Sequence, residues 1–189
     1  NIIPRWAGNL NWGYGHPILM FLYPLPSYLA SLFHFIGFSF VDSTKLVFAF
    51  AYLASLIAMY LWTANLWGKS AGLVSAILYG FAPYRFVDLY VRGAIGEHLA
   101  FVFMPLVLFA LTKLAKAKNT FNYWGHWLSL FIAGLILSHN AVSLMFAPII
   151  ILYLLYLYFF VVQKNKKFII LISVYLLFGL LLSAFFWMP

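Results

Sequence analysis

Acidic residues are what this chain has least of. Asp42, Asp88 and Glu97 are its only carboxylates, against eleven Lys and Arg, and charged residues make up 7% of 189. A soluble domain carries about 25%, so an ordinary water-exposed surface is excluded. Cysteine is absent, which excludes disulfides, thiolate metal sites and thiol catalysis. HExxH, P-loop and paired-histidine metal motifs are absent, as is a Ser/His/Asp nucleophile set. No internal repeat or low-complexity linker divides the chain. It opens at Asn1 without Met or signal peptide and stops at Trp187-Met188-Pro189, directly after an apolar run. Both ends look cut, and the expectation is a fragment of a longer membrane protein.

What fills the chain is apolar. Hydrophobic residues make up 66% and the mean hydropathy is +1.00. No soluble fold of this size hides so much apolar surface, so the bilayer must be the solvent. Seven Trp, thirteen Tyr and twenty-one Phe suit membrane interfaces. The net charge of +8 does not point to nucleic acid, because apolar runs separate the basic residues. Two loops hold most of the lysines, Lys113 to Lys118 and Lys164 to Lys167. They read as cytoplasmic loops under the positive-inside rule, with contact to anionic membrane lipids as a minor addition.

A spanning helix needs about 20 apolar residues. The spans 46–66, 94–112, 141–162 and 168–188 fit well; 14–36, 70–83 and 122–138 fit less well. Pro17, Pro24 and Pro26 break 14–36. With the lysine loops in the cytoplasm, 122–138 and 141–162 form a hairpin with Ser138-His139-Asn140 at its outer tip. Arg92, Glu97 and His98 then share that face. Counting backwards favours a first segment, 14–36, that is broken and dips in from the outer side. Such backbone is allowed where protein or a water cavity covers it. Asp42-Ser43-Thr44 reads as the cap of a helix beginning near Lys45. The expected fold is all-α, a polytopic transmembrane helical bundle of about six segments. It forms one domain over 1–189.

Asp88 and Glu97 fall in one short polar stretch, 84–98, with Arg85, Arg92 and His98. Ionisable groups in a membrane setting are costly and mark function by default. If the stretch is helical, Arg85, Asp88 and Arg92 lie on one face at i, i+3 and i+7. Glu97 falls in the first turn of the next helix, at its positive dipole end. Two readings stay open. One is a salt-bridge knot that pins helix ends. The other is an anion site, with two guanidiniums on a phosphate and a carboxylate on a sugar hydroxyl or a divalent metal. His139 and Asn140 read either as a polar turn or as hydrogen-bonding partners of a polar head group, with His139 a metal ligand or acid/base group. The loop Asn11 to Pro17 holds Trp12, Tyr14 and His16. It is either a plain turn into a helix at Pro17 or a close-approach loop that touches a ligand.

The order of these motifs carries a resemblance. Pro4-Arg5-Trp6 comes first, then Gly13-Tyr14-Gly15-His16-Pro17 running into Phe21-Leu22-Tyr23-Pro24-Leu25. Ala82-Pro83-Tyr84-Arg85 with Asp88 and Tyr90 follows, then Arg92-Gly93-Ala94 with Glu97, Ser138-His139-Asn140, and Ala184 to Pro189. The chain resembles bacterial polytopic membrane proteins known as 6-pyruvoyl-tetrahydropterin-synthase-related. These are similar to the GT-C glycosyltransferases and to YfhO-like membrane proteins. The three zinc-ligand histidines of a true pterin synthase are missing. The resemblance implies a multi-pass protein of the bacterial inner membrane. It would transfer a sugar from a polyprenyl-phosphate-linked donor at the outer face. Arg85 and Arg92 would bind phosphate, and Asp88 and Glu97 would orient the sugar, the arginines or a metal. His98, His139, Asn140, His16 and Tyr14 would complete the polar cavity. The family's general base would precede Asn1. A transporter or flippase of lipid-linked polar cargo, or an assembly subunit without a substrate, is the alternative.

Overall fold

A computed structural model describes residues 6–17, 22–117 and 123–188. The order of helices is α1 (Leu25–Phe35), α2 (Phe40–Trp67), α3 (Lys69–Gly80), α4 (Pro83–Phe86), a π-helical segment (Val87–Arg92), α5 (Ile95–Lys116), α6 (Tyr123–Ser138), α7 (Asn140–Tyr156), α8 (Lys166–Leu182) and α9 (Ala184–Trp187). A second π-helical turn, Leu157–Val161, extends α7. Among the described residues there is no strand, only an isolated antiparallel bridge between Ala7 and His16. The all-helical expectation holds.

Among the described residues three helices are long and apolar enough to cross a membrane: Phe40–Trp67, Ile95–Lys116 and Asn140–Val161. The remaining expected spans come out shorter. Helix α3 has 12 residues, about 18 Å at 1.5 Å per residue, against a hydrocarbon core of about 30 Å. Helix α6 has 16 residues and α8 has 17. Helix α1 has 11 residues and begins at Leu25, after the prolines that interrupt 14–36. Residues 18–21 of that first segment lie outside the described residues.

The start of α2 differs from expectation. Its cap is Ser39, whose Oγ accepts from the Asp42 amide at 3.1 Å and donates to the Asp42 carboxylate at 2.7 Å. The hydroxyl satisfies one of the orphan amides of the first turn and is itself held by the Asp42 carboxylate. The helix therefore begins at Phe40, several residues before Lys45, with Asp42 inside the first turn.

Helix α5 lies at the centre. Of its most apolar stretch 67% is buried, against 28% for α2 and 17% for α7. It packs on α2 and α6, and α8 packs on α6. Its buried residues Ala100, Val107, Leu108 and Leu111 join Leu128 and Leu135 of α6, Phe146 and Ile150 of α7, and Ile172 of α8 in one core. Pro105 sits inside α5, tolerated because packed neighbours surround it.

Side-chain contacts fix the direction of each helix. Lys116 Nζ donates to the Asn65 carbonyl at 3.0 Å, and Leu99 packs with Ala51, so α2 and α5 run the same way. Gly72 meets Ala64, and Gly80 meets Leu56, so α3 returns along α2. Phe109 stacks edge-on with Trp124 and Phe103 covers Gly134, so α6 returns along α5. Lys69, Lys113, Lys116, Lys164, Lys166 and Lys167 consequently gather at one end of the bundle. Asp42, Asp88, Glu97, His98 and His139 lie toward the other.

Candidate polar site at the carboxylate end

The site forms where α3 stops short. Beyond Gly80 the chain turns at Pro83, makes one turn of α4 and enters the π-helical segment. The wider i→i+5 turn changes the expected register. Arg85, Asp88 and Arg92 do not form a single α-helical face. Arg85 and Asp88 turn inward and are buried, while the Arg92 side chain stays 43% exposed. Gly93 then takes a left-handed φ of 59°, which ends the segment and reverses the chain into α5. Ala94 N bonds back to the Asp88 carbonyl at 3.2 Å.

Across this turn Arg92 clasps Glu97. Nη1 donates to Oε2 at 2.6 Å and Nη2 to Oε1 at 2.9 Å. This is the bidentate form that combines strength with fixed geometry. Tyr84 closes a triangle: its hydroxyl donates to Glu97 Oε2 at 2.7 Å and accepts from Arg92 Nη1 at 2.6 Å. The hydrogen bond to Glu97 raises the Tyr84 hydroxyl above its ordinary pKa. Asp88 lies beneath, 3.5 Å from Arg92 Nη1 through Oδ1 and 3.5 Å from His98 Nδ1 through Oδ2. Burial pushes its carboxyl up to about 7, the neighbouring Glu97 carboxylate adds to the rise, and Arg92 and Arg85 oppose it.

Arg85 occupies a separate compartment. Nη2 donates to Ser55 Oγ at 2.8 Å. The guanidinium lies over Phe101, Tyr79 and Tyr52 at 4.6, 5.3 and 5.4 Å from the ring centroids. Such cation–π contacts are strongest when desolvated. His98 is also enclosed by rings, Phe48 at 5.5 Å and Tyr52 at 6.1 Å. Six buried polar atoms here complete no hydrogen bond among the described residues: Arg85 Nε and Nη1, both Asp88 oxygens and both His98 nitrogens.

The hairpin tip reaches the same site through Tyr23. The Tyr23 ring lies 4.5 Å from that of His139 and lies against Gly96, where any Cβ would collide with it and with the Ser138 carbonyl. The side chains of His139 and Asn140 also serve the backbone. His139 Nδ1 accepts from the Val142 amide at 3.2 Å as the cap of α7, and Asn140 Oδ1 accepts from the Ala141 amide at 2.8 Å. Among the described residues no hydrogen bond joins Tyr14 or His16 to this cluster. Both are exposed, and their hydrogen bonds among the described residues stay within the loop, to Ala7 and Asn11. Arg5 lies outside the described residues.

Sequence reasoning did not single out Tyr23, Tyr52, Ser55, Tyr79 or Phe101. Tyr52 and Ser55 carry a signal, an i, i+3 polar pair within an apolar helix. Tyr23, Tyr79 and Phe101 are ordinary members of an aromatic-rich chain. Among the described residues no group of three or more His, Asp or Glu is arranged to hold a metal ion. The two guanidiniums flanking Asp88 also disfavour a cation there.

No protein-family model matches the chain. No solved structure matches it. Over 198 aligned residues it is 27% identical to a protein of Lactococcus lactis subsp. cremoris (strain MG1363) described as an uncharacterized protein. The match covers 100% of this chain and 31% of that protein, so the chain spans about a third of the length of the relative it matches.

Proposed function

We propose that the cluster of Arg92, Glu97, Asp88 and His98 binds the phosphate-and-sugar head of a lipid-linked donor. The protein would act as a multi-pass, GT-C-like sugar transferase of the bacterial cytoplasmic membrane. The carboxylate end would face outward and the lysine end the cytoplasm, following the positive-inside rule. Arg92 is the accessible guanidinium and takes the phosphate. Glu97 and Tyr84 hold its fork in place. Asp88 and His98 offer acceptors and donors to sugar hydroxyls, with His139 and Asn140 on the rim. Arg85, sealed among three rings, supplies a fixed positive field beneath the site and does not touch the ligand.

The observation that carries this reading is that the four buried side-chain polar atoms of Asp88 and His98 complete no hydrogen bond among the described residues. A knot built only to pin helix ends would satisfy its own atoms, because each buried unpaired group costs about 1–3 kcal/mol. Groups left open beside an ion pair are prepared for a polar ligand. The depth of Arg85 favours a second reading, a transporter of the same cargo. Its partner Ser55 lies roughly 15 Å along α2 from Asn65, at 1.5 Å per residue. Charge that far from the lysine end suits a pathway through the bundle.

The test uses the full-length protein in proteoliposomes with a polyprenyl-phosphate-linked, radiolabelled sugar. Arg92→Lys and Glu97→Gln should each weaken donor binding at least tenfold with helicity unchanged. Label transferred covalently to an acceptor supports the transferase, and label moved intact across the vesicle wall supports the transporter. Full donor binding by an Arg92→Ala, Glu97→Ala double variant would overturn both.

A further inference from the structure

A cleft opens beside the polar site, between the first half of α2 and the π-helical segment, with a volume of about 500 Å³. It exists because α3 ends at Gly80, beside Tyr52 and Leu56. The stripe of α2 that α3 covers lower down is faced higher up by the 86–90 stretch. One wall is Phe48, Ala49 and Tyr52; the other is Phe86, Leu89 and Tyr90. Phe86 and Tyr90 stack with their planes 5° apart. Lys45 stands at the outer rim, with its side chain 73% exposed. Tyr52 marks the floor, about 10 Å lower along α2 at 1.5 Å per residue.

We infer that this cleft holds one anionic phospholipid, with its phosphate on Lys45 and the upper part of an acyl chain between α2 and the 86–90 stretch. The polarity of the cleft follows the helix axis: a cation at the end of the bundle, then a descending apolar wall. An amphiphile in a bilayer has that same order of parts. Lys45 is free to take the phosphate. Its approach to Asp42 is 3.8 Å between exposed side chains, a pair worth little, and Asp42 is already bonded to Ser39. A free sugar fits poorly. Apart from Lys45 the only polar side-chain groups among the lining residues are two tyrosine hydroxyls, on Tyr52 and Tyr90, and that of Tyr52 already donates to the Gly80 carbonyl at 3.3 Å. Buried sugar hydroxyls would be left unpaired. The inference does not depend on the transferase reading. Its occupant would nonetheless press on Phe48 and Tyr52, the rings that enclose His98 and, for Tyr52, Arg85.

The experiment places the full-length protein in phosphatidylcholine nanodiscs doped with phosphatidylglycerol carrying a diazirine near the top of one acyl chain. Illumination should cross-link the probe to 48–52 and 86–90, read by peptide mass spectrometry. Lys45→Ala should cut that yield roughly fivefold, the factor expected for one interfacial lysine, and Leu89→Trp, which fills the cleft, should abolish it. Lys45 is exposed, so its loss leaves folding intact, and helicity is checked by circular dichroism. Equal yields from a matched phosphatidylcholine probe would overturn the inference. So would yields unchanged in Lys45→Ala, or cross-links confined to other segments.

Discussion

Arg92 and Glu97 face each other across the left-handed Gly93, joined by two parallel hydrogen bonds of 2.6 and 2.9 Å. The pair ties the last residue of the π-helical segment to the first turn of the central helix. Any ligand of Arg92 must share the guanidinium with Glu97 and Tyr84, or displace them. A ligand phosphate therefore enters a fork that is already formed, which lowers the ordering cost of binding.

Asp88 makes stability depend on pH. Its folded carboxyl titrates near 7, against an ordinary value of 3.8. A raised pKa contributes stability that is fully present below about 3.8. It is lost as pH rises through about 7, where the buried group must ionise. The Asp88→Asn variant, neutral throughout, should therefore melt higher than the parent at pH 8. That gap should shrink steadily toward pH 5 in thermal-shift measurements in detergent. A gap constant across this range would show that Asp88 does not titrate as stated.

Gly96 is a contact that no side chain can share. A Cβ there meets the Tyr23 ring and the Ser138 carbonyl, and overpacking of this kind costs about 1–3 kcal/mol. Gly96→Val should lower the melting temperature in thermal-shift measurements in detergent by forcing Tyr23 away from this surface. Gly93→Ala, where a Cβ meets nothing within 4 Å but φ is positive, should cost less. Equal effects would contradict the packing argument.

Ser55 Oγ accepts a hydrogen bond from Arg85 Nη2 at 2.8 Å. Ser55→Ala should destabilise by about 1–3 kcal/mol, because it leaves a further guanidinium N–H buried and unpaired. Arg85→Met in the same background should recover part of that loss by removing the charge itself. A double variant no more stable than Ser55→Ala alone would mean that this hydrogen bond is not what Ser55 supplies.

The absence of cysteine gives a clean background for labelling. Asn140→Cys and Lys166→Cys sit at opposite ends of the bundle. In sealed, right-side-out vesicles an impermeant maleimide should modify Asn140→Cys, and Lys166→Cys only after permeabilisation. Labelling of both from one side would refute the transmembrane arrangement.

Much of the fold was legible in the sequence because hydropathy and lysine placement are coarse signals. The three long apolar helices fall within a few residues of 46–66, 94–112 and 141–162. Ser138-His139-Asn140 is legible as a hairpin tip because three consecutive polar residues break an apolar run where the chain must turn. The start of α2 was misjudged because Ser39, Asp42, Ser43 and Thr44 are all plausible caps, and only the Ser39–Asp42 hydrogen bonds decide. Helices α3 and α6 were less certain because a short apolar run does not reveal its own depth. Within the site, Asp88, Arg92, Glu97 and His98 stood out by charge and do come together. The divergence of Arg85 from Arg92 was not legible, because nothing in Val87 to Arg92 announces a π turn.

That π turn has a genetic consequence. A π-helical turn holds one residue more than the α-helix it interrupts, and such turns concentrate at functional sites. Deleting Val91 would let the segment close in ordinary α register. The segment would then be one residue shorter, about 1.5 Å of rise, with the helical phase on either side nearly unchanged. Arg92 would be drawn back from Glu97 while each side chain of the cluster remained in the chain. The site is thus encoded by spacing as much as by composition. A single in-frame codon loss at a solvent- or lipid-facing valine, 78% exposed, would disable it as fully as losing the arginine.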